Sequence, residues 1–588
     1  MSEAAVALQG VEDAYPLAPA QAGMLFHSLS QPDSGVYLGQ FSAVLPAGLD
    51  VEAFKAAWRS VIRRHGALRT LFVWEGVDDP VQVVRDAAEP LWSEFDWRHL
   101  GPAEARDALD ALMEHGLREG IDLSQAPAMA LAMAELADGR RRFVWTCHHA
   151  LLDDWSAALV LRDVAAAYVA HAGGEAPELE PAVSFRPFVD WLAGRDEAAA
   201  ESYWREVLGD LRHPTRLLTP PPEAQPMPGP AFETGERTLS AEASEGLRGL
   251  AAGQRVTLGA LIVSAWAVVL HRCSGQDEVV FGVANTLRPP ELPGIEAAVG
   301  NFVTTLPARV GLDRDANMKA LIRRCHEEAL AARDHGFLGL SRIQRASGIA
   351  AGQALFETIV ALDQEPPSSG QAGSDDPPLF DELTARDQSN YPLALLVLPG
   401  ERLRLKLIHD PARYDKATAG MILSMMEAAL TALPGSLDAA PFDLPVLTEA
   451  EIERAKAGET GAGALPPFGP VHVEFAAQAA RFPDRPAVVF GPESLSYGEL
   501  ERRANQVARR LAQLGLGRGD RVAVFLERSP AVLVAILGAL KAGCAYVPLD
   551  AAYASDRLAW MLGDCDAQVL VTESARREAL PEQAPRVL

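Results

Sequence analysis

The residues best placed to do chemistry lie in segment 148–156, which reads HHALLDDWS. Histidine has an unperturbed pKa close to neutrality, so His148 or His149 could accept a proton from an attacking amine or hydroxyl. An alternating, strand-like run (143–147) precedes the segment, and a helical pattern (about 156–171) follows it. The segment therefore lies at the end of a strand, where catalytic groups are often presented.

Three considerations limit this interpretation. Asp153 follows His149 too closely in sequence for a direct pair to be assumed, so it could instead stabilise the turn by binding an arginine and backbone donors. A metal site built on His148 and His149 is disfavoured, because adjacent residues leaving a strand point to opposite sides. A capped strand-to-helix turn without a catalytic role fits the same residues, and the pattern alone does not separate the two interpretations.

Several familiar sites are absent from the sequence. It holds no G-x-x-x-x-G-K-[ST] phosphate loop and no G-x-S-x-G nucleophile elbow, which excludes a Walker-type nucleotide site and an ordinary serine hydrolase. The five cysteines are scattered without a C-x-x-C pair, as is typical of a reducing cytoplasm without disulfides or structural zinc. We therefore expect a cytoplasmic protein without a metal site.

Composition and charge narrow the class of protein further. Hydrophobic residues make up 48% of the 588 residues and charged residues 22%, as in ordinary globular proteins. The 53 basic and 79 acidic residues give a net charge of −26, which argues against nucleic acid or an anionic membrane as the main partner. No apolar run reaches the roughly 18 residues of a membrane span, and the sequence does not begin like a secretory signal.

The elements that must position segment 148–156 follow from periodicity. Asp50 can cap a helix with one apolar face, Thr257 precedes a second helix, and residues 278–283 form a β-branched run. Near the end of the chain, strands at 521–526 and 569–572 alternate with helices, which predicts a parallel sheet covered by helices. The predicted fold class is α/β.

Stretches rich in proline and glycine divide the chain. Residues 220–230 and 458–470 have the composition of linkers, whereas residues 365–378 lie between strand-like runs and are predicted to be a loop within a domain. A block of about 445 residues, large enough for two lobes, is thus followed by a block of about 120.

Five motifs, taken in order, resemble the core motifs of the condensation domains of nonribosomal peptide synthetases. Segment 148–156 is similar to the active-site motif HHxxxDG of that family. The other similar segments are 15–27, the RHxxLRT-like 64–70, the GxFVNT-like 299–306, and 391–393. Together they cover about residues 13–445, and their order makes the resemblance specific.

The resemblance implies a fold like that of chloramphenicol acetyltransferase, a V-shaped pair of α/β lobes with a tunnel open at both faces. It places the first lobe at residues 13–185, the second at 186–445 and a linker at 446–470. In this family, carrier proteins deliver a donor acyl or peptidyl thioester and an acceptor aminoacyl thioester on phosphopantetheine arms. The acceptor amine attacks the donor and forms an amide. The chain itself is expected to bind no cofactor, and with Met1 as the natural start the donor carrier would belong to another polypeptide.

The resemblance also assigns roles to residues. The second histidine of the motif, His149, is the expected catalytic residue, which deprotonates or orients the amine. His148 is expected to orient or pack, or to take a direct part. Asp153 is the structural aspartate of the motif, and Arg64 or Arg69 is its expected partner, because a buried carboxylate needs one.

One residue departs from the family motif. Asp154 stands where the family usually has glycine, and it adds bulk and negative charge beside the expected base. This departure leaves open a condensation-like platform that recruits other enzymes without catalysis, although Trp155 and Ser156 next to it are intact. An epimerisation domain shares the histidine motif, but it usually follows a carrier domain, whereas this block directly precedes adenylation motifs.

The last part of the chain resembles a second domain of the same synthetases. Residues 495–500 (LSYGEL) and 540–550 (LKAGCAYVPLD) are similar to the first two core motifs of adenylation domains, so residues 471–588 are predicted to be an incomplete, N-terminal part of one. The phosphate loop, the ribose-binding acids and the catalytic lysine of that family are absent, so this part alone is not expected to adenylate an amino acid. Lys541 is interpreted as a solvated lysine that complements a helix dipole.

Overall fold

The computed structural model describes residues 10–217, 232–350, 352–362, 379–387, 389–459, 469–550, 555–581 and 584–588. The chain divides into two compact units, Met1–Arg454 and Ala455–Leu588. The predicted linker 220–230, the predicted loop 365–378 and most of the predicted linker 458–470 lie outside the described residues.

The first lobe of the first unit is built on two sheets. Its strands are β1 (Val11–Pro16), β2 (Leu38–Leu45), β3 (Thr70–Val73), β4 (Val81–Arg85), β5 (Leu91–Trp97), β6 (Met129–Leu136) and β7 (Arg141–His148). Strands β1, β4 and β3 form a small antiparallel sheet, and β2, β7, β6 and β5 adjoin in that order in a larger sheet. Its helices are α1 (Pro19–Ser30), α2 (Val51–Arg64), α3 (Pro102–Glu119) and α4 (Asp154–Ala172).

Helix α2 shows how the sequence forms this lobe. Its predicted cap is confirmed, because the Asp50 carboxylate accepts a hydrogen bond from the Ala53 amide at 3.0 Å. The apolar face of the helix is buried, and the Trp58 ring lies 5.2 Å from the ring of Trp145 on β7. This packing fixes the inner face of the strand that leads to segment 148–156.

The second lobe has one large sheet. The strands that follow the first lobe are β8 (Glu233–Thr238), β9 (Glu278–Thr286), β10 (Val303–Gly311), β11 (Thr358–Leu362), β12 (Asp381–Asp387), β13 (Leu393–Leu398) and β14 (Arg404–His409). All but β12 form a six-stranded sheet in the order β10-β9-β11-β13-β14-β8. The helices are α5 (Arg186–Ala193), α6 (Glu197–Leu208), α7 (Ala241–Gln254), α8 (Leu258–Ser274), α9 (Met318–Asp334), α10 (Leu340–Ala346) and α11 (Lys416–Ala432). The next helix, α12 (Glu449–Glu459), contains the boundary between the two units.

The most apolar helices of this lobe lie in its core. By length and composition one stretch of the described residues, Lys416–Gly435, could cross a membrane, and a second would count only if α7 and α8, bent by 110°, were one span. Residues 260–270 of α8 are all buried, and Ile422, Met426 and Leu430 of α11 pack in the same hydrophobic cluster. Packing within the lobe therefore accounts for the apolar character of these helices.

The two lobes share a strand and a hydrophobic cluster. Strand β12 lies in the range predicted for the second lobe but pairs antiparallel with β2, which extends the large sheet of the first lobe to five strands. One core cluster joins Tyr15 and Val84 of the first lobe to Phe188 and Phe302 of the second. These contacts hold the residues of both lobes that meet at segment 148–156.

The second unit confirms the predicted parallel sheet. Its strands are β15 (Pro486–Phe490), β16 (Glu493–Ser496), β17 (Arg521–Phe525), β18 (Ala545–Pro548), β19 (Val569–Thr572) and β20 (Arg586–Val587). Strands β15 and β16 form a hairpin, and the other four are parallel in the order β18-β17-β19-β20. Its helices are α13 (Val471–Arg481), α14 (Tyr497–Gln513), α15 (Pro530–Lys541) and α16 (Ser555–Asp564).

The interpretation of Lys541 as a solvated lysine is wrong. Its side chain is only 10% exposed, and its Nζ lies 2.7 Å from the Glu501 carboxylate. Helices α14 and α15 pack against each other, which brings the two side chains together. Lys541 is therefore part of a half-buried ion pair within the second unit.

Candidate active site

Segment 148–156 forms a tight connection between β7 and α4. His148 is the last residue of β7, and Asp153 is the residue that caps α4. The strand and the helix predicted around the segment are thus confirmed. The Phe143 and Trp145 side chains of β7 are fully buried in the first-lobe core, so the strand end that carries the histidines has a fixed position.

The His148 ring is held inside the first lobe. Its Nδ1 accepts a hydrogen bond from the Ala150 amide at 3.0 Å, which leaves the proton on Nε2, 2.9 Å from the Ser28 hydroxyl. Burial, with a smaller contribution from His149, lowers the pKa of His148 to about 3. The ring is therefore neutral near pH 7, and its basic nitrogen is already engaged.

His149 has a different environment one residue further on. It is half-buried, whereas His148 is only 2% exposed. The His149 amide donates to the Tyr37 carbonyl at 2.8 Å, and its carbonyl accepts from the Asn301 side chain at 2.8 Å. Tyr37 adopts a φ of 61°, a left-handed conformation that costs a bulky residue about 1–3 kcal/mol and is often found at functional sites.

Asp153 connects the motif to the second lobe. One carboxylate oxygen accepts from the Ser156 amide at 2.8 Å and so caps α4, while the other accepts from the Phe302 amide at 3.2 Å. The Asp153 amide donates to the Gly300 carbonyl at 3.1 Å. This residue is 3% exposed, so its charge needs a cation nearby.

The cation is Arg288, so the prediction of Arg64 or Arg69 is wrong. The Nη2 of Arg288 lies 3.3 Å from the Asp153 carboxylate. Arg64 instead lies 3.1 Å from the Asp163 carboxylate on α4, and Arg69 lies 2.6 Å from Glu12. Arg64 is the last residue of α2 and Arg69 ends the short helical turn that follows it, and both side chains bind carboxylates other than Asp153.

Arg288 organises the second-lobe side of the site. Its guanidinium donates to the carbonyls of Ile295 (2.6 Å) and Ala298 (2.9 Å) and to the Ser156 hydroxyl (3.0 Å). It also lies 3.9 Å from the Phe302 ring centroid. Burial lowers the pKa of Arg288, although Asp153 opposes this shift. The sequence signal was slight, namely an arginine two residues after the end of β9.

The other predicted residues of the segment lie around this ion pair. The Ser156 hydroxyl donates to the Gly300 carbonyl at 2.8 Å, and the Trp155 indole donates to the Glu296 carbonyl at 2.9 Å. Asp154, the first residue of α4, is half-buried, and a carboxylate there is favourable to the helix dipole. The start of α4 is therefore attached to the second lobe through side chains as well as backbone.

Gly300 permits the close approach of this second-lobe segment. A Cβ atom at this position would lie 2.1 Å from the Phe185 ring, a distance that no packed structure allows. Any larger residue would force the ring or the segment to move. The glycine of the GxFVNT-like motif thus has a steric explanation.

One cavity adjoins segment 148–156, and a second, larger one is lined by other residues. One of about 300 Å³ adjoins His148 and is lined by Ser28, Leu38, Trp74 and Leu123 among others. Another of about 380 Å³ lies along β10 between α6 and α9, away from segment 148–156. In the part of the chain that the structure describes, no three His, Cys, Asp or Glu side chains are grouped so as to hold a metal ion.

Comparison with known proteins agrees with this architecture. The family model for the condensation domain matches residues 11–453, and that for AMP-binding enzymes matches residues 475–587. The chain belongs to the condensation domain family of nonribosomal peptide synthetases and continues into part of an AMP-binding domain.

Its relatives include much longer proteins. The chain is 35% identical over 583 residues to a linear gramicidin synthase polypeptide of Brevibacillus parabrevis, which is 99% of this chain and 8% of that protein. It is 31% identical over 575 residues to bacitracin synthase 3 of Bacillus licheniformis, covering 96% of this chain and 9% of that protein. The chain thus spans less than a tenth of the length of these relatives.

Solved structures confirm the fold. A four-domain nonribosomal peptide synthetase bound to AMP and glycine matches 98% of this chain and 44% of its own length, with a TM-score of 0.66 and 21% identity. The starter condensation domain of rhizomide synthetase matches 75% of this chain and 98% of its own length, with a TM-score of 0.61 and 21% identity. The predicted two-lobed, acetyltransferase-like α/β fold followed by part of an adenylation-type domain is confirmed.

Proposed function

We propose that the first unit forms an amide bond between two carrier-bound substrates, as an acyl-transferring enzyme of nonribosomal peptide synthesis. The acceptor amine nitrogen attacks the carbonyl carbon of the donor thioester, and the carbon–sulfur bond breaks. The proton lost by the amine passes through His149 to the departing thiolate, so the products are an amide and a thiol. Both substrates arrive on the phosphopantetheine arms of carrier proteins in the cytoplasm.

The observation that carries this proposal is the half-buried His149 at the end of β7. Its backbone is hydrogen-bonded on both sides, by Tyr37 and Asn301, so the direction of its Cα–Cβ bond is fixed. An imidazole in such a position can accept the amine proton or orient the nucleophile. A group of this kind typically contributes 10²–10⁴-fold to a rate.

The environment of His148 supports the choice of His149 as the catalytic residue. His148 is buried and neutral, its Nδ1 accepts from the Ala150 amide, and its Nε2 faces Ser28. It therefore has no basic nitrogen available to a substrate. We assign His148 the role of fixing the strand end from which His149 projects.

Orientation of the two tethered substrates supplies the rest of the acceleration. Holding two reactants in attack geometry can lower a barrier by about 7–11 kcal/mol. The second-lobe segment 300–302 is bound to Asp153 and Ser156, and its Asn301 donates to the His149 carbonyl, so residues of both lobes adjoin His149. We propose that this arrangement holds the amine and the thioester against each other.

Two alternatives remain distinct from this proposal. Asp154 in the place of the motif glycine suggests a recruitment platform without catalysis. Such a platform would not require the hydrogen bonds that hold the His149 backbone, so it leaves those bonds unexplained. An epimerisation domain would use the same histidine on a single substrate. It would exchange the α-hydrogen of a carrier-bound amino acid with solvent and form no amide.

The test is an assay of the chain with His149→Ala beside the unaltered protein. Holo carrier proteins are loaded with a panel of small and apolar amino acids as donors and acceptors, and dipeptidyl carrier is measured by mass spectrometry. The unaltered chain should form amide with at least one pair, and His149→Ala should lower that rate by about 10²-fold or more.

The matched control is His115→Ala, because His115 is exposed on α3. This variant should keep the rate of the unaltered chain. Equal rates for the chain and His149→Ala, or no amide with any pair, would contradict the proposal. Deuterium incorporation at the α-carbon in D2O without amide formation would favour epimerisation instead.

A further inference from the structure

Asn301 is a buried polar residue of the second lobe that reaches into the first. It is 2% exposed, and its Nδ2 donates to the His149 carbonyl at 2.8 Å. The same nitrogen lies 3.2 Å from the Met24 sulfur on α1, and its Oδ1 accepts from the Val303 amide at 2.9 Å. Each polar atom of this side chain thus has a partner, and the partners belong to both lobes.

The bond from Asn301 completes the support of the His149 backbone. On the N-terminal side, the His149 amide donates to the carbonyl of Tyr37, a residue of the first lobe with positive φ. On the C-terminal side, Asn301 binds the His149 carbonyl from the second lobe. Because the peptide groups on both sides of the His149 Cα are fixed, the direction of its Cα–Cβ bond is fixed too.

The neighbours of Asn301 hold it in place. The Gly300 carbonyl accepts from the Asp153 amide and the Ser156 hydroxyl, and the Phe302 amide donates to the Asp153 carboxylate. Asn301 lies between these two anchored residues, and its own carboxamide accepts from the Val303 amide. Its Nδ2 is therefore presented to His149 in one orientation.

We propose that Asn301 is a positioning residue, which sets the direction of the His149 imidazole through the His149 carbonyl. The inference rests on the proposed function of His149 and adds a residue that the motif does not assign, since position 301 is the variable position of the GxFVNT-like segment. Asn301 touches neither substrate in this proposal. It acts on the reaction only through the residue that handles the proton.

Two substitutions separate this role from simple packing. Asn301→Asp keeps the acceptor for the Val303 amide but replaces the donor to His149 with an acceptor, and Asn301→Leu removes both. With the carrier-loaded pair on which the chain is most active, each variant should lower kcat about 10- to 100-fold, as expected for a shift of about 1 Å in a reacting group. The KM for the acceptor carrier should change less than about threefold.

The matched control is Asn285→Leu. The Asn285 carboxamide donates to the Val283 carbonyl at 2.9 Å, which is the same type of bond made within the second lobe alone. This variant should keep kcat within about twofold of the unaltered chain. An equal loss in Asn285→Leu and Asn301→Leu would mean that general damage to the lobe, and not positioning, lowers the rate.

A double-mutant cycle distinguishes positioning from structure. In the His149→Ala background, adding Asn301→Asp should leave the residual rate unchanged within about twofold, because the group that Asn301 positions is gone. A further fall of about 10-fold in that background would overturn the inference, since Asn301 would then act without His149. Should Asn301→Leu fail to fold, Asn301→Asp carries the same test.

The same measurements distinguish a failure of this inference from a failure of the proposed function. Loss of activity in His149→Ala with full activity in Asn301→Asp would overturn the positioning role and leave the role of His149 intact. Full activity in His149→Ala would overturn the proposed function itself, whatever Asn301→Asp does.

Discussion

Two adjacent histidines of one strand end have different chemistry because one side chain is sealed in the lobe and the other is not. His148 is buried, and its ring is bonded to Ala150 and Ser28. The sequence alone could predict that the pair points to opposite sides. It could not show which ring is buried, because that depends on Ser28 of α1, which is distant in the chain.

The burial of His148 makes a prediction about stability and pH. Its pKa is about 3 in the folded chain, against an ordinary value of 6.5, so between these values the unfolded chain binds a proton that the folded chain does not. The free energy of unfolding should therefore fall as the pH falls from 6.5 toward 3, by up to about 1.4 kcal/mol per pH unit from this group. His148→Gln should lose this part of the pH dependence.

The measurement is urea unfolding at about pH 7 and about pH 5, on either side of the ordinary histidine pKa, followed by the fluorescence of the buried tryptophans of the first unit. The control is His115→Gln, which replaces an exposed histidine and should unfold with the pH dependence of the unaltered chain. Identical pH dependence in His148→Gln and the unaltered chain would show that His148 is not the group responsible.

At the scale of elements, the start of α4 is attached to the second lobe by a buried ion pair. Asp153 caps the helix and also binds Arg288 and the Phe302 amide. The prediction that Asp153 is structural remains a proposal. It now has a geometric basis in the contacts of this carboxylate with two lobes.

Asp153→Ala should therefore destabilise the first unit more than the loss of a helix cap does. The expected decrease in the free energy of unfolding is about 3–5 kcal/mol, because Arg288 would be left buried without its carboxylate. The matched control is Asp50→Ala, which removes the same type of cap from α2 and should cost about 0.5–2 kcal/mol. Urea unfolding of both variants measures the difference. A soluble Asp153→Ala variant with the stability of Asp50→Ala and lower turnover would instead assign Asp153 to the chemistry.

Elements with local patterns were predictable, and pairings between distant segments were not. The cap at Asp50, the strand before His148 and the parallel strands of the second unit all follow from nearby residues. Arg288 is 135 residues from Asp153 in sequence. Nothing local to either residue indicates that they meet, and several arginines fit the same need for a cation. The contact of Asn301 with His149 and the place of β12 are unpredictable for the same reason.

At the scale of the whole molecule, each hydrophobic cluster of the described residues belongs to one unit. Three clusters lie within Met1–Arg454 and two within Ala455–Leu588. A unit with its own core can in principle fold alone. The first unit also contains every residue to which we assign a role in catalysis.

The fragment 1–454 should therefore fold and keep the amide-forming activity of the longer chain. Its thermal transition should lie within about 2 °C of the corresponding transition of the 588-residue chain, because a change of 1 kcal/mol in stability shifts the transition of a unit of this size by only about 1 °C. Differential scanning calorimetry of both proteins measures this. An aggregated fragment, or a transition lowered by about 10 °C, would show that the second unit stabilises the first.

Strand β12 restricts how the two lobes can move. It belongs in sequence to the second lobe, yet its backbone is laddered to β2 from Asp381 to Asp387. Straight separation of the two lobes would have to break that ladder. Any relative movement of the lobes should therefore be smallest at β12 and take the form of a rotation about this strand.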